Sequence, residues 1–355
     1  MPFSRFGLAR NPLAGGAPRS TILTKLEGFG TNPGNLGGWY FSPAPNTAKR
    51  ALVVVLHGCT QDARGFDEGS GWSALAEMYD FALVFPEQQR ANNPNLCFNW
   101  FSPADSSRGA GETLSIAQMI DAMIEHHNVD PQRVYITGLS AGGAMTSIML
   151  ATYPEKFAGG AILAGLPHGA AASVAEALQQ MKAHSPSHRT SGRSIEAAAG
   201  HSGNWPAISI WHGTADAIVD VSNADAILKQ WLEVHRLAGP PDETDTVDSH
   251  PHKVWRDDAG KLAVEEYRVT GMGHGVPLAA GGESGFGTPG AFMIEAGISA
   301  TVHSARTWGL LAGEPRALRK KPDLDTKPQM PSAPRSGSST QQVIEDALRA
   351  AGLMK

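Results

Sequence analysis

Ser140 stands between two glycines in the pentad Gly138-Leu139-Ser140-Ala141-Gly142. The residues before it, RVYIT, read as a strand, and those after it, AMTSIML, as a helix. A serine at the tip of a tight strand-to-helix turn is a nucleophile elbow. Its hydroxyl is pushed out over the C-terminal edge of a sheet, and side chains two residues before and after it would collide, so glycine fits at both places. The helix that follows supplies free N–H groups and a partial positive charge. A chance pentad is the bland alternative in a chain with 40 glycines; the strand and helix on its two sides favour the elbow.

An activated serine needs a base and an orienting acid, and in this kind of sheet the chain order is Ser, Asp or Glu, then His. Asp216 follows the apolar run PAISIWHG, in the loop where a carboxylate faces a neighbouring histidine. Asp220 is the rival, but it precedes a helical stretch at residue 223 and reads as serving that start. His274 lies between Gly273 and Gly275 after the last strand-like run, LAVEEYRVTG, which suits a general base exchanging protons between serine and leaving group. The alternative for His274 is an exposed loop histidine. The other histidines read as structural or surface residues, His212 as one that packs beside Gly213. An oxyanion requires two backbone N–H donors. Ala141, after the nucleophile, offers one. Cys59, in the His57-Gly58-Cys59 turn after ALVVVL, offers the other. No His-Glu-x-x-His or similar spacing occurs, so neither a metal nor a cofactor is expected.

These residues need a scaffold. Strand-like runs at 51–58, 81–88, 133–138, 158–165, 206–213 and 262–271 alternate with helical stretches at 71–80, 111–130 and 223–239, and residues 290–313 read as a closing helix pair or one broken helix. Such alternation predicts an α/β fold, a mostly parallel central sheet with helices on both faces. The expected organisation is an N-terminal arm over 1–38, a catalytic domain over 39–313 with a cap-like insertion at about 168–204, a Pro-rich linker over 314–340, and a C-terminal helix or tail over 341–355. With 355 residues, 41% of them hydrophobic, the chain can bury a substantial core. A net charge of −5 gives no electrostatic basis for nucleic-acid binding. No apolar run reaches the roughly 18 residues of a membrane span. The opening residues contain early arginines and no continuous apolar stretch, so they do not read as a secretory signal, and the face-value location is cytoplasmic.

Six separated blocks, in order, resemble the catalytic domain of poly(3-hydroxybutyrate) depolymerases, a group allied to feruloyl and acetylxylan esterases: VVVLHGCTQDARGF, NLCFNWF, GETLSIAQMID, VYITGLSAGGAMTSIMLATYPEKFAGGAILAGLPHG, IWHGTADAIVDVSNADAIL and GMGHGVPL. The resemblance spans about residues 35–312. It implies an α/β-hydrolase fold and cofactor-free serine esterase chemistry on polyesters or small esters, with nucleophile, acid and base at Ser140, Asp216 and His274. A separate polymer-binding module is not recognisable, which leaves oligomers, amorphous polyester and plant-cell-wall esters as substrate classes. Cys59 and Cys97 follow strands expected to be neighbours, so a disulfide is geometrically allowed. Two buried thiols are the alternative; the place of Cys97 in a matching block favours the bridge, which would imply export. Trp100, near Cys97, is the candidate platform for an ester chain. Trp72 and Trp211 read as core, and Trp205 as part of the insertion. The rivals are a feruloyl or acetylxylan esterase with the same triad, a non-catalytic relative that binds a ligand, and a serine peptidase.

Overall fold

Every residue from Arg50 to Leu56 is buried, and the run divides by parity. Leu52, Val54 and Leu56 join one apolar core, while Ala51, Val53 and Val55 join another. Successive strand residues point to opposite faces, so a strand buried on both sides must lie inside a sheet covered on both sides. The computed structural model describes residues 23–312 apart from 45–47, 183–189, 202 and 283–284. The expected linker over 314–340 and tail over 341–355 lie outside the described residues, as does the arm up to residue 22.

Among the described residues the strands are β1 (Thr24–Lys25), β2 (Gly37–Phe41), β3 (Arg50–Leu56), β4 (Ala82–Glu87), β5 (Val129–Leu139), β6 (Gly159–Leu163), β7 (Ala207–Gly213), β8 (Glu243–Val247), β9 (His250–Arg256), β10 (Leu262–Val269), β11 (Val276–Leu278) and β12 (Met293–Glu295). The helices are α1 (Ala63–Ser70), α2 (Trp72–Tyr79), α3 (Pro103–Ser106), α4 (Gly111–His126), α5 (Ala141–Thr152), α6 (Val174–Met181), α7 (Gly192–Ala199), α8 (Ser222–Val234) and α9 (Ala300–Thr307). Ten strands form one sheet in the order β1-β2-β4-β3-β5-β6-β7-β10-β9-β8. The central six, β4 to β10 in that order, pair in parallel, and the outer pairs at both ends are antiparallel. Helices α4, α5, α7 and α8 pack on one face, and α1, α2 and α9 on the other. A one-residue register slip in β3 would exchange its two buried sets and mismatch both cores.

The structure departs from the sequence expectations in four places. The sheet begins at Thr24 rather than after residue 38: Lys25 pairs with Trp39, and Leu23, Leu26 and Leu36 are buried. Those leucines are too irregularly spaced among glycines to show a period. Second, the cap-like insertion at 168–204 is packed into the helical layer where it is described. Its helix α7 packs on α5 and α8 and buries Ile195 and Ala199. Third, residues 290–313 are not all helix. Met293–Glu295 pairs in parallel with β11, Gly297 turns left-handed at φ 75°, and only then does Ser299 cap α9 through the Val302 N–H. Finally, the β8–β9 hairpin was missed. Its turn, Asp248-Ser249, has φ of 47° and 71°, the two left-handed residues of a tight hairpin turn. β8 itself is polar and exposed, so it has no apolar period to detect.

Candidate active site

β5 stops at Leu139 and α5 starts at Ala141, leaving Ser140 alone at the corner with φ 59° and ψ −116°. Such a conformation costs a non-glycine residue on the order of 1–3 kcal/mol and persists only where the surroundings fix it. Here they do. Ser140 N donates to Leu163 O at 2.9 Å, and Ser140 O accepts from Ala144 N at 2.8 Å. The flanking glycines are required sterically. A Cβ at Gly138 would lie 2.4 Å from Gly142 O, and one at Gly142 would lie 2.5 Å from the carbonyl oxygens of both Leu56 and His57.

The C-terminal ends of the neighbouring strands are laced together beyond the ladder. Ser140 N bonds Leu163 O, Ala164 N bonds Trp211 O at 2.8 Å, and Thr214 N bonds Val269 O at 3.0 Å. These links carry the loops after β5, β6, β7 and β10 to one edge. There His274 Nδ1 lies 2.7 Å from Asp216 Oδ2. The other oxygen, Oδ1, accepts the N–H groups of Ile218 (2.8 Å) and Val219 (2.9 Å). The Asp216 side chain has no exposed surface. Burial opposes its ionisation, yet hydrogen bonds and charge from His212 and His274 outweigh that and hold the carboxyl well below the usual carboxylate range. An ionised acceptor fixes the His274 proton on Nδ1 and leaves Nε2 with its lone pair, the arrangement a general base needs.

Asp220, the rival carboxylate, accepts Ser222 N at the start of α8. His212 does more than pack. Its Nε2 lies 2.9 Å from Val219 O and 3.4 Å from Asp216 Oδ2. A carbonyl can only accept, so Nε2 carries the hydrogen, and that N–H faces the carboxylate as well. His212 Nδ1 is buried without a partner among the described residues.

On the other side of Ser140, Cys59 and Cys97 form a disulfide with Cα atoms 4.2 Å apart, and Thr60 N donates to Asn95 O at 2.7 Å. Beneath the bridge is a buried polar network that the sequence reading did not pick out. Gln88 N donates to His57 Nε2 at 3.1 Å. The His57 proton is therefore on Nδ1, which donates to Gly58 O at 2.7 Å. Burial lowers the basicity of His57, against the pull of that carbonyl, and keeps the ring neutral. In a trans peptide C=O and N–H point in opposite directions, so holding the Gly58 carbonyl also sets the direction of the Cys59 N–H. Gln88 Nε2 donates to Cys97 O (2.9 Å) and Glu112 Oε1 (2.6 Å), and Asn99 N donates to Glu112 Oε2 (2.9 Å). Burial pushes the Glu112 carboxyl up to about 8, opposed by the Asn99 N–H and the Gln88 amide. The available signal was positional: His57 and Gln88 are polar residues directly following buried strands, and Glu112 opens a helix.

Trp100 does not form the open platform expected of it. It is 6% exposed, packed in the core beside α4 and edge-on to Phe101; a stacking surface needs a free ring face. Trp72 and Trp211 are core residues, and Trp205 packs edge-on against Trp231 of α8. A cavity of about 270 Å³ lies against His274, walled by Ala217, Ile218, Gly290, Phe292 and Ile294. Among the described residues no group of three His, Cys, Asp or Glu is placed to hold a metal ion, and no helix is long and apolar enough to cross a membrane.

Comparison with known proteins places the chain in a family. Residues 37–252 match the family model described as esterase PHB depolymerase. Over 292 residues, 81% of this chain and 70% of the relative, the sequence is 43% identical to poly(3-hydroxyalkanoate) depolymerase C of Paucimonas lemoignei. It is 32% identical to an acetylxylan esterase of Coprinopsis cinerea, over 72% of this chain and 69% of that one. Feruloyl esterase B of Talaromyces funiculosus is 29% identical over 72% of this chain and 73% of its own length. Among solved structures, an acetyl xylan esterase from Aspergillus awamori superposes with a TM-score of 0.68 at 25% identity, over 82% of this chain and all of that one.

Proposed function

The chain belongs to the PHB depolymerase esterase family of α/β-hydrolases, and from that premise we propose a serine esterase that cleaves polyesters or oligoesters of short 3-hydroxyalkanoates through an acyl-enzyme. The observation that carries the catalytic assignment is the 2.7 Å contact between His274 Nδ1 and a buried, ionised Asp216, at the sheet edge that also holds Ser140 in its left-handed turn. Ser140 Oγ attacks the ester carbonyl carbon while His274 Nε2 takes its proton. The carbonyl oxygen becomes an oxyanion held by the N–H groups of Ala141 and Cys59. As the C–O bond to the alcohol breaks, His274 returns the proton to the departing oxygen. Water, deprotonated by the same nitrogen, then releases the acid and regenerates Ser140. Asp216 holds the histidine tautomer and stabilises the imidazolium.

The 43% identity to a polyhydroxyalkanoate depolymerase favours the polyester reading. A second reading, an acetylxylan or feruloyl esterase with the same three residues, is supported by the fold match to acetyl xylan esterase. The Cys59–Cys97 bridge supports work in an oxidising compartment, outside the cytoplasm. The test is a stoichiometric fluorophosphonate label mapped by peptide mass, followed by a panel of hydroxybutyrate oligomers, acetylated xylan and methyl ferulate with chelator present. The expected results are a single label on Ser140, turnover highest on the oligomers, and no effect of chelation. A label elsewhere would refute the nucleophile, and a preference for xylan or ferulate would replace the substrate class.

A further inference from the structure

The cavity beside His274 is built on the catalytic acid itself. Its wall residue Ile218 gives its backbone N–H to Asp216 Oδ1 at 2.8 Å, so the wall and the carboxylate belong to one turn. Phe292 and Ile294, just before and within β12, also line it. Phe292 holds a left-handed backbone, φ 61°, a conformation that a bulky residue adopts at a cost and that clusters at functional sites. It is fixed there by Val276 N, which donates to Phe292 O at 2.8 Å, and by the parallel pairing of Val276 with Met293. The result stands the Phe292 ring nearly perpendicular to the His274 ring, centroids 6.1 Å apart. Ile218, Phe292 and Ile294 are each only partly buried. Apart from His274, no side chain lining the cavity is polar, and the Cys59 loop and α5 contribute nothing to its wall.

The chemistry says which half of an ester belongs there. Of the two ester oxygens, the carbonyl oxygen turns towards the donors at the Cys59 loop and α5. The other one, bonded to the alcohol carbon, must come within hydrogen-bond reach of His274 to receive the proton taken from Ser140. When the carbonyl carbon's bond to that oxygen breaks, the acyl group stays on Ser140 Oγ and the alcohol leaves protonated on the His274 side. We infer that the apolar cavity walled by Ile218, Phe292 and Ile294 is the subsite for the alcohol half of the ester, and that it selects a compact aliphatic alcohol. In a 3-hydroxyalkanoate chain this half is the next monomer, entering by its secondary hydroxyl and short alkyl branch. About 270 Å³ falls just below the range of sites for drug-sized ligands and suits one such unit. The inference rests on the serine-esterase reading above.

Two ester series separate the halves: acetates of methanol, butanol and hexanol, and methyl esters of acetate, butyrate and hexanoate. The readout is the ratio of kcat/KM for the longest to the shortest member in each series. Ile218→Trp, which fills the cavity, should lower the alcohol ratio about tenfold, the scale of discrimination in an apolar pocket, and move the acyl ratio less than about twofold. Added butanol should also compete less well with water for the acetyl-enzyme. Phe292→Gly keeps the backbone angle without strain and opens the same wall. It should raise the ratio of cyclohexyl to methyl acetate, which guards against misfolding of the larger variant. If the acyl ratio moves instead, or neither ratio moves in both folded variants, the assignment is wrong. Failure of the wild-type protein to hydrolyse either series would instead refute the esterase reading itself.

Discussion

The loop after β3 and the loop after β10 flank Ser140 and are held by different means. The first is closed by the Cys59–Cys97 bond, anchored by the Thr60–Asn95 backbone bond, and underlain by His57, Gln88 and Glu112, each 2% exposed or less. The second is a run of alternating glycines, Gly271, Gly273 and Gly275, joined to the loop after β7 through Ala215 N to Met272 O and Gly271 N to Thr214 Oγ1. At Gly273 a Cβ would meet nothing within 4 Å, so glycine is not there to make room. The difference matches the two tasks proposed for these loops. Donors that stabilise a developing charge work best when fixed before the charge appears. A base that passes one proton between two oxygens must shift slightly between them.

The comparison can be broken by experiment. The largest effect is expected on the His274 side: Asp216→Asn should lower kcat by about 10⁴-fold by favouring the wrong tautomer of His274, with the melting temperature retained. Asp220→Asn should be mild; the reverse order would exchange the roles of the two carboxylates. Next comes His57→Ala, on the pinned side. Freeing the Gly58 carbonyl should cost roughly 10²- to 10³-fold in kcat, as for one lost oxyanion donor, with KM little changed. His57→Asn, which can still donate and accept, should recover part of it. Equal losses in both variants would mean that packing, not peptide orientation, is what His57 supplies.

Cys97→Ser should act mainly on stability. The chain-entropy model gives roughly 3–4 kcal/mol for a loop of this length as an upper figure, and the separation is 38 residues. Denaturant unfolding in oxidised and reduced states measures it; a kcat loss as large as that of His57→Ala would instead make the bond part of the donor geometry. The smallest effect concerns Glu112. Its folded pKa, about 8, lies above its ordinary value of 4.5, so the folded state binds the extra proton. Stability should then fall as pH rises from about 4.5 to about 8. Glu112→Gln should remove that slope, and lower stability at acid pH, because an amide offers one acceptor where two N–H donors converge. A slope that survives the substitution would assign it to another group.

What the sequence disclosed and what it hid follow one physical line. Ser140, Asp216 and His274 each sit just past a buried strand of the sheet, so position in the chain was enough to select them. The Asp216–His274 contact joins residues 58 positions apart, and it could be anticipated because parallel sheets gather their strand ends. The His57–Gln88–Glu112 network has no such marker. Its members become partners only when β3, β4 and the start of α4 meet in space. Trp100 shows the reverse error. Its neighbourhood in sequence was informative, but a tryptophan's neighbours do not reveal which way its ring faces. β8 and β12 were hidden because one is polar but for its last residue, Val247, and the other is three residues long.

The margins of the large sheet have a bearing on how the protein behaves in concentrated solution. An unpaired strand edge is a template on which another chain can add a strand. Among the described residues one margin is β1, only two residues long, with Lys25 paired to Glu27 at 2.7 Å. The other is β8, whose exposed row includes Glu243 and Asp245. Glu243 and Asp245 are ion-paired to Arg256 and His252 of the neighbouring strand, so a second molecule adding to β8 would have to desolvate a row of fixed charges, and along β1 it would find too little backbone to grip. Among the described residues, ten strands of hydrogen-bonded backbone thus end in two borders that discourage strand addition, and the sheet's size need not bring a tendency to form fibres.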